Sequence, residues 1–337
     1  MMTLTRNLMS GLALAGMAAV LAGGAAQASD LDEMRPAGFP ERPIEIVVVY
    51  PAGGGMDINA RILARTFERL TDQDTVVNNR TGGAGLVGHT HLATQADNDG
   101  HTVGVIANLV FADAMLRSEG QWSHTDLDPI AYLNSDGLIL VVNSDGPHAG
   151  RSMSEILEAA ADEPDSLSIT NVPGSMYEYM IEALEAATGA SFLKVPFQGG
   201  APGIAALLGE NVDVGIAFLG EVRSHLEAGS VEAVAVTGSD RSPFVDAPTM
   251  NEVLGGDDFV WQATRWVAVP TGMDPDRKAW LSAAFIAAAA DPETQEEFTN
   301  LGATTNTSYD TAEAVAGHIG QLAEIEESFF RATGRLD

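Results

Sequence analysis

Two glycine-rich loops are the segments of this chain best equipped to do chemistry. Pro51-Ala52-Gly53-Gly54-Gly55-Met56-Asp57 follows a β-branched run at 44–49 interrupted only by Glu45. It opens a helical spacing of apolar residues at Ile58, Ile62, Leu63, Phe67 and Leu70. Strand, glycine loop and helix in that order set bare backbone N–H groups and the positive end of a helix dipole where an anion can sit, and glycine lets a ligand oxygen approach the main chain. The same residues also fit a plain turn capped by Asp57. A phosphate-gripping loop would end in Lys-Ser/Thr, which is missing here, so a nucleoside triphosphate is disfavoured.

The second loop, Gly82-Gly83-Ala84-Gly85-Leu86-Val87-Gly88, contains a literal G-x-G-x-x-G. A dinucleotide site would start directly after a strand and be answered by an acid at the end of the next strand. Here Asn79, Arg80 and Thr81 intervene, and the next strand ends in Asn108. Among the seven histidines the one close pair is His89 and His91, and residues two apart on a helix diverge by about 200°, which reads as packed or surface histidine and not as a metal site. Ser175 lies in Val172-Pro173-Gly174-Ser175 with no nearby histidine to act as its base. Acidic pairs follow from composition and single out no glycosidase. No metal, cofactor or catalytic residue is expected.

The elements that must position these loops alternate. Strand patterns at 44–49, 75–77, 101–107 and 138–143 and helical patterns at 58–70 and 86–95 are followed by a second alternating set from 153 to 237. A strand at 266–269 and helices at 275–290, 293–301 and 312–332 close the chain. The order predicts an α/β protein of two lobes, each a mixed sheet flanked by helices. The first lobe would be discontinuous, 29–137 plus 258–337, and the second 138–257.

Composition bounds the class. Arg6, an apolar stretch from Leu8 to Ala22 and Ala26-Gln27-Ala28 read as an export signal over 1–28, too short for a permanent span. With no cysteine there is neither a disulfide nor a lipid anchor, so stability must come from packing. The balance of 47 acidic against 17 basic residues excludes nucleic acid as a partner. The acids are scattered, as in a surface suited to a salty medium. Local groups then decide what binds, because the Debye length at seawater ionic strength is only about 4 Å.

Four blocks carry a resemblance: 42–64 (RPIEIVVVYPAGGGMDINARILA), 76–105 (VVNNRTGGAGLVGHTHLATQADNDGHTVGV), 195–215 (VPFQGGAPGIAALLGENVDVG) and 236–253 (VTGSDRSPFVDAPTMNEV). Together they resemble the substrate-binding receptors of tripartite tricarboxylate transporters, the Bug family, over nearly the whole mature chain. The resemblance implies a type II periplasmic-binding-protein fold that closes over a small carboxylate and delivers it, as a monomer in the periplasm, to integral-membrane subunits. It implies a ligand held by main-chain N–H groups of two loops. In this chain these are Tyr50 to Asp57, with Ala52, Gly53, Gly54, Gly55 and Met56 between, and Asn171 to Ser175, with Gly174. Asn108, Gly199 and Gly200 are expected to line the cleft beside them.

Met56 stands where the family usually has a small hydroxyl residue, Phe197-Gln198 replaces Tyr-Lys, and Trp266 replaces a glycine beside Arg265. Those departures turn the expectation from a tricarboxylate toward a mono- or dicarboxylate with an apolar or aromatic body. A secreted α/β hydrolase, or a ligand-sensing module for a membrane signalling partner, is the competing reading.

Overall fold

The computed structural model describes residues 30–256 and 259–336; the expected export signal and the expected junction at Asp257 and Asp258 lie outside them. The chain runs β1 (Ile44–Val48), α1 (Gly55–Thr71), β2 (Thr75–Asn79), α2 (Leu86–Thr94), β3 (Thr102–Ala107), α3 (Leu109–Ala112) and β4 (Leu127–Gly137). Next come β5 (Ile139–Asn143), α4 (Met153–Asp162), β6 (Ser168–Asn171), α5 (Met176–Thr188), β7 (Leu193–Pro196), α6 (Gly200–Leu208), β8 (Gly215–Ala217), α7 (Leu219–Glu227), β9 (Val231–Val236) and α8 (Met250–Leu254). It ends with β10 (Gln262–Pro270), α9 (Pro275–Ala290), α10 (Pro292–Asn300) and α11 (Ala312–Ala332).

One sheet has the strand order β2-β1-β3-β10-β4. Strand β1 pairs in parallel with both neighbours. That central position, covered on both faces, is why its apolar run shows no alternation. On one face α1 and α9 interlock, with Phe67 stacked on Phe285 at 4.4 Å and edge-on to Trp280 at 5.9 Å. Against the other face lie Phe111, Trp266 and the buried stripe of α11, Val315, Ile319 and Ala323. A second sheet, β8-β5-β9, and the parallel pair β6-β7 carry separate clusters of buried residues. The passages between the two halves run side by side: Leu138 N–H donates to Thr237 Oγ1 at 2.8 Å and Trp261 N–H to the Thr237 carbonyl at 2.8 Å.

Most elements fall within a few residues of the sequence expectation, and β4 departs from it. Its sequence, with Asp128, Pro129, Asn134, Ser135 and Asp136, reads as a loop. Two circumstances reverse that. The strand is at the sheet edge, where proline is tolerated. Its buried polar side chains also find tertiary partners, described below.

Candidate functional site

A cavity of about 620 Å³ opens between the two sheets' loop ends. From the first loop, Tyr50, Gly55 and Met56 line it. Ala52, Gly53, Gly54 and Asp57 do not, and local bonding explains why. Gly53 N–H donates to Asp57 Oδ2 at 2.9 Å and Gly54 N–H to the Pro51 carbonyl at 3.2 Å, so both amides are already used. Burial alone would raise the Asp57 carboxyl, but Arg61 and Gly53 hold it below the ordinary value. Of the first loop's tip, Gly55 and Met56 at the α1 N-terminus are on the wall, and no side chain caps the helix there.

The loop that resembles a dinucleotide motif supplies Thr81 to Gly85 to the same wall. It is pressed against β1: a Cβ on Gly88 would come within 2.6 Å of Val49 and 2.7 Å of the Arg80 carbonyl, so only glycine fits there. Asn108 also lines the cavity, though its amide is engaged. Its Oδ1 accepts from Thr264 N–H at 3.2 Å, and its Nδ2 donates to Glu326 Oε1 at 2.6 Å.

Across the cavity, Val172, Pro173, Ser175, Met176 and Tyr177 face the first loop. Asn171 and Gly174 are not on the wall. Gly174 N–H donates to Glu178 Oε2 at 2.9 Å, repeating the Gly53–Asp57 arrangement, and Asn171 is buried beneath, its backbone carbonyl bonded to Phe197 N–H at 2.7 Å. The Ser175 hydroxyl caps α5, accepting from Tyr177 N–H at 3.2 Å and donating to the Val172 carbonyl at 2.7 Å. Phe197, Gln198, Gly199 and Gly200 complete this side. Gly200 has no room for a side chain, since a Cβ would lie 2.3 Å from Glu221 Oε2. That oxygen accepts from Tyr177 Oη and from Phe218 N–H, each at 3.0 Å, and burial followed by the Glu221 charge pushes the Tyr177 hydroxyl far above its usual range.

Several groups on the wall were not singled out from sequence, Arg265, Glu326 and Trp261 among them. Strand β10 alternates, so Ala263 and Arg265 face the cavity while Trp266, 2% exposed, stacks on Phe111 in the core. Trp266 therefore shapes the ligand space only through its neighbour. Arg265 is 4% exposed and pairs with Asp136 at 2.9 Å, and its Nη1 donates to Asn134 Oδ1 at 3.0 Å. Asn134 donates to Asn59, and Asn59 to the Gly55 carbonyl, at 2.6 and 2.7 Å. A buried relay thus ties the guanidinium to the first loop. Burial raises the Asp136 carboxyl, and Arg265 opposes the rise. Arg265 Nε has no acceptor among the described residues.

Burial pushes the Glu326 carboxyl from about 4.5 up to about 8, opposed only by the Asn108 hydrogen bond. A folded-state value above the unfolded one means that the stability tied to this group is complete below about pH 4.5 and is lost as pH rises through 8. Glu326→Gln should therefore gain on the parent protein by about 2 kcal/mol between pH 5 and 8.5, well under the full linkage value because water reaches the cavity. Urea denaturation of both proteins across that range checks it. A constant difference would mean an ordinary carboxyl.

Loops of two α/β halves converging on one cleft, with a helix N-terminus and a guanidinium on its wall, define a two-lobed solute-binding protein of the periplasmic type. Residues 59–323 match the tripartite tricarboxylate transporter family receptor, and the chain belongs to that family, whose members are receptors and not enzymes. It is 32% identical to Protein BugT of Bordetella pertussis over 79% of this chain and 82% of that one. It is 31% identical to a protein of Pseudomonas sp. strain P51 encoded in the tcbD-tcbE intergenic region, over 86% and 84%. The structure of the periplasmic binding protein BugD superposes with a TM-score of 0.75 at 28% identity, covering 88% of this chain and 99% of that one. The fold is shared with an R. palustris protein solved with adipate, TM-score 0.76 at 23% identity over 88% and 98%. Among the described residues no helix is long and apolar enough to cross a membrane, and no cluster of three or more His, Asp or Glu could hold a metal ion.

Proposed function

We propose that this receptor works in the periplasm, captures a small carboxylate with an apolar or aromatic body, and presents it to the membrane subunits of a tripartite transporter. One observation carries the ligand class. The uncapped α1 N-terminus and the Arg265 guanidinium share a cavity with Tyr50, Met56, Tyr177, Phe197, Phe218 and Trp261. An anion is met by oriented N–H dipoles and a fixed cation, and the remainder of the ligand by ring faces and a thioether. The adipate-bound relative supports the class. Residues 30–137 with 259–336, and 138–256, would be the two lobes, turning on the paired passages at Leu138 and Thr237. Asn171 and Gly174 act here as supports for the second loop.

A thermal-shift panel of aliphatic and aromatic mono-, di- and tricarboxylates in high salt tests the reading. A ligand at 100 times its Kd stabilises the folded state by about 2.7 kcal/mol. The shift should appear with a mono- or dicarboxylate and vanish in Gly55→Asp, which sets a negative charge on the wall where a Cβ meets open space. Sugars and divalent metal ions complete the panel, and shifts confined to them would overturn it.

A further inference from the structure

We propose that the ligand is an amino carboxylate, its protonated nitrogen seated on Glu326 beside Trp261; the inference rests on the carboxylate-receptor reading above and names which carboxylates the site selects.

The argument starts from charge matching. Arg265 is a cation already answered by Asp136 at 2.9 Å. Glu326 is an acid with no such answer. It shares the cavity wall with Arg265, and the neighbour that fixes it is the uncharged amide of Asn108 at 2.6 Å. Asn108 is itself clamped at two points by Thr264, whose N–H reaches its Oδ1 at 3.2 Å and whose carbonyl receives its N–H at 3.3 Å. Oε1 of Glu326 is therefore held in place by a rigid donor, and Oε2 remains for an incoming group. In the empty cavity burial keeps the Glu326 carboxyl protonated up to about pH 8 for want of a cation beside it. A ligand with a positive nitrogen supplies that cation, lets Glu326 ionise against it, and is drawn as well to Glu221 on the facing wall, which a purely anionic ligand would meet as a like charge.

The rings near Glu326 fit the same cation. Phe329 and Phe330 follow Glu326 by three and four positions on α11 and so lie on its flank of the helix. Phe329 packs edge-on to Trp261 at 4.9 Å, and Phe330 to Tyr179 at 5.3 Å. Trp261 and Tyr179 both line the cavity; the Tyr179 ring already carries the Arg335 guanidinium at 5.0 Å, so the electron-rich ring that the acid's helix backs and leaves open on this wall is the Trp261 indole. Carboxylate and indole together are the usual receptor for an ammonium group. For the other end of the ligand, the 4%-exposed Arg265 has an Nε without an acceptor among the described residues, a buried donor suited to a carboxylate. Opposite charges at two points of one apolar cavity describe a zwitterion with an apolar spacer.

Calorimetric titration of the full mature chain with two matched pairs tests this: L-phenylalanine against 3-phenylpropionate, and 6-aminohexanoate against hexanoate. The amino-bearing member of at least one pair is expected to bind at least tenfold more tightly. Glu326→Gln should shrink that ratio about tenfold. Equal or tighter binding of the amino-free acids by the parent protein overturns the inference and leaves the carboxylate reading standing. Binding of neither member, with no carboxylate of the wider panel bound, overturns both. The parent protein decides these outcomes alone, so a poorly folding variant does not blunt the test.

Discussion

Arg265→Met is expected to lower the free energy of unfolding by about 3–5 kcal/mol and to weaken carboxylate binding at least tenfold. The stability loss comes from what is left behind. Asp136 sits in a site where burial and the Glu221 charge both raise its carboxyl, and the Arg265 guanidinium is the group that offsets them. Without the guanidinium, Asp136 must stay ionised unpaired or take up a proton, and Asn134 loses the donor at 3.0 Å that completes the relay to Gly55. A double variant separates the causes. Arg265→Met with Asp136→Leu removes both charges and should recover most of the stability, since an apolar pair of similar volume is often as good as a buried ion pair. Affinity should stay low, because the cation on the wall is still missing. Urea denaturation and calorimetry on the two variants check both halves. A double variant whose losses merely add would show that packing, and not the stranded carboxylate, sets the stability.

The parts of this molecule that read directly from sequence are those whose physics is local. The apolar run of β1 and the glycine loops on either side of it announce themselves, because a doubly covered parallel strand and a close backbone approach each need a distinctive composition. Strand β4 was illegible for the opposite reason. Asn134, Ser135 and Asp136 look like loop residues until Arg265 and Asn59, far away in sequence, are brought beside them. Two of the charged groups on the cavity wall, Arg265 and Glu326, were nearly legible. Period-two alternation along β10 sends Trp266 inward and Arg265 to the opposite face, which the apolar character of 267–269 alone obscures. Glu326 is plainer still: it falls on the stripe Val315, Ile319, Ala323, Phe330 that α11 buries, and an acid on an otherwise apolar helical stripe needs a reason. Within the first loop the family resemblance does not rank its amides; the bonds to Asp57 and Pro51 show that those of Gly53 and Gly54 already have acceptors.

The second large effect is expected at Asp113, which no motif marks and which is not itself on the cavity wall. Asp113 and His89 are both 0% exposed. His89 Nδ1 meets Asp113 Oδ2 and Arg117 Nη1 meets Asp113 Oδ1, each at 2.7 Å. Arg117 in turn donates to the Gly83 carbonyl and lies 4.0 Å from where a Cβ on Gly174 would stand. One buried carboxylate thus orders α2, through His89, and the glycine loop that α2 follows, through Arg117. Asp113→Ala removes the acceptor of both bonds. The guanidinium can turn to water, being a quarter exposed, but the imidazole cannot. The expected loss is about 3 kcal/mol, toward the low end for breaking a buried pair, because one partner escapes to solvent. In a chain of this size that is a fall in Tm of roughly 5 °C. The loop should also become easier to open: hydrogen exchange at 82–88 should accelerate by more than the global loss of stability explains, since the carbonyl of Gly83 is no longer held. Exchange that rises uniformly over the chain would show Asp113 to be a core residue only, with no separate hold on the cleft.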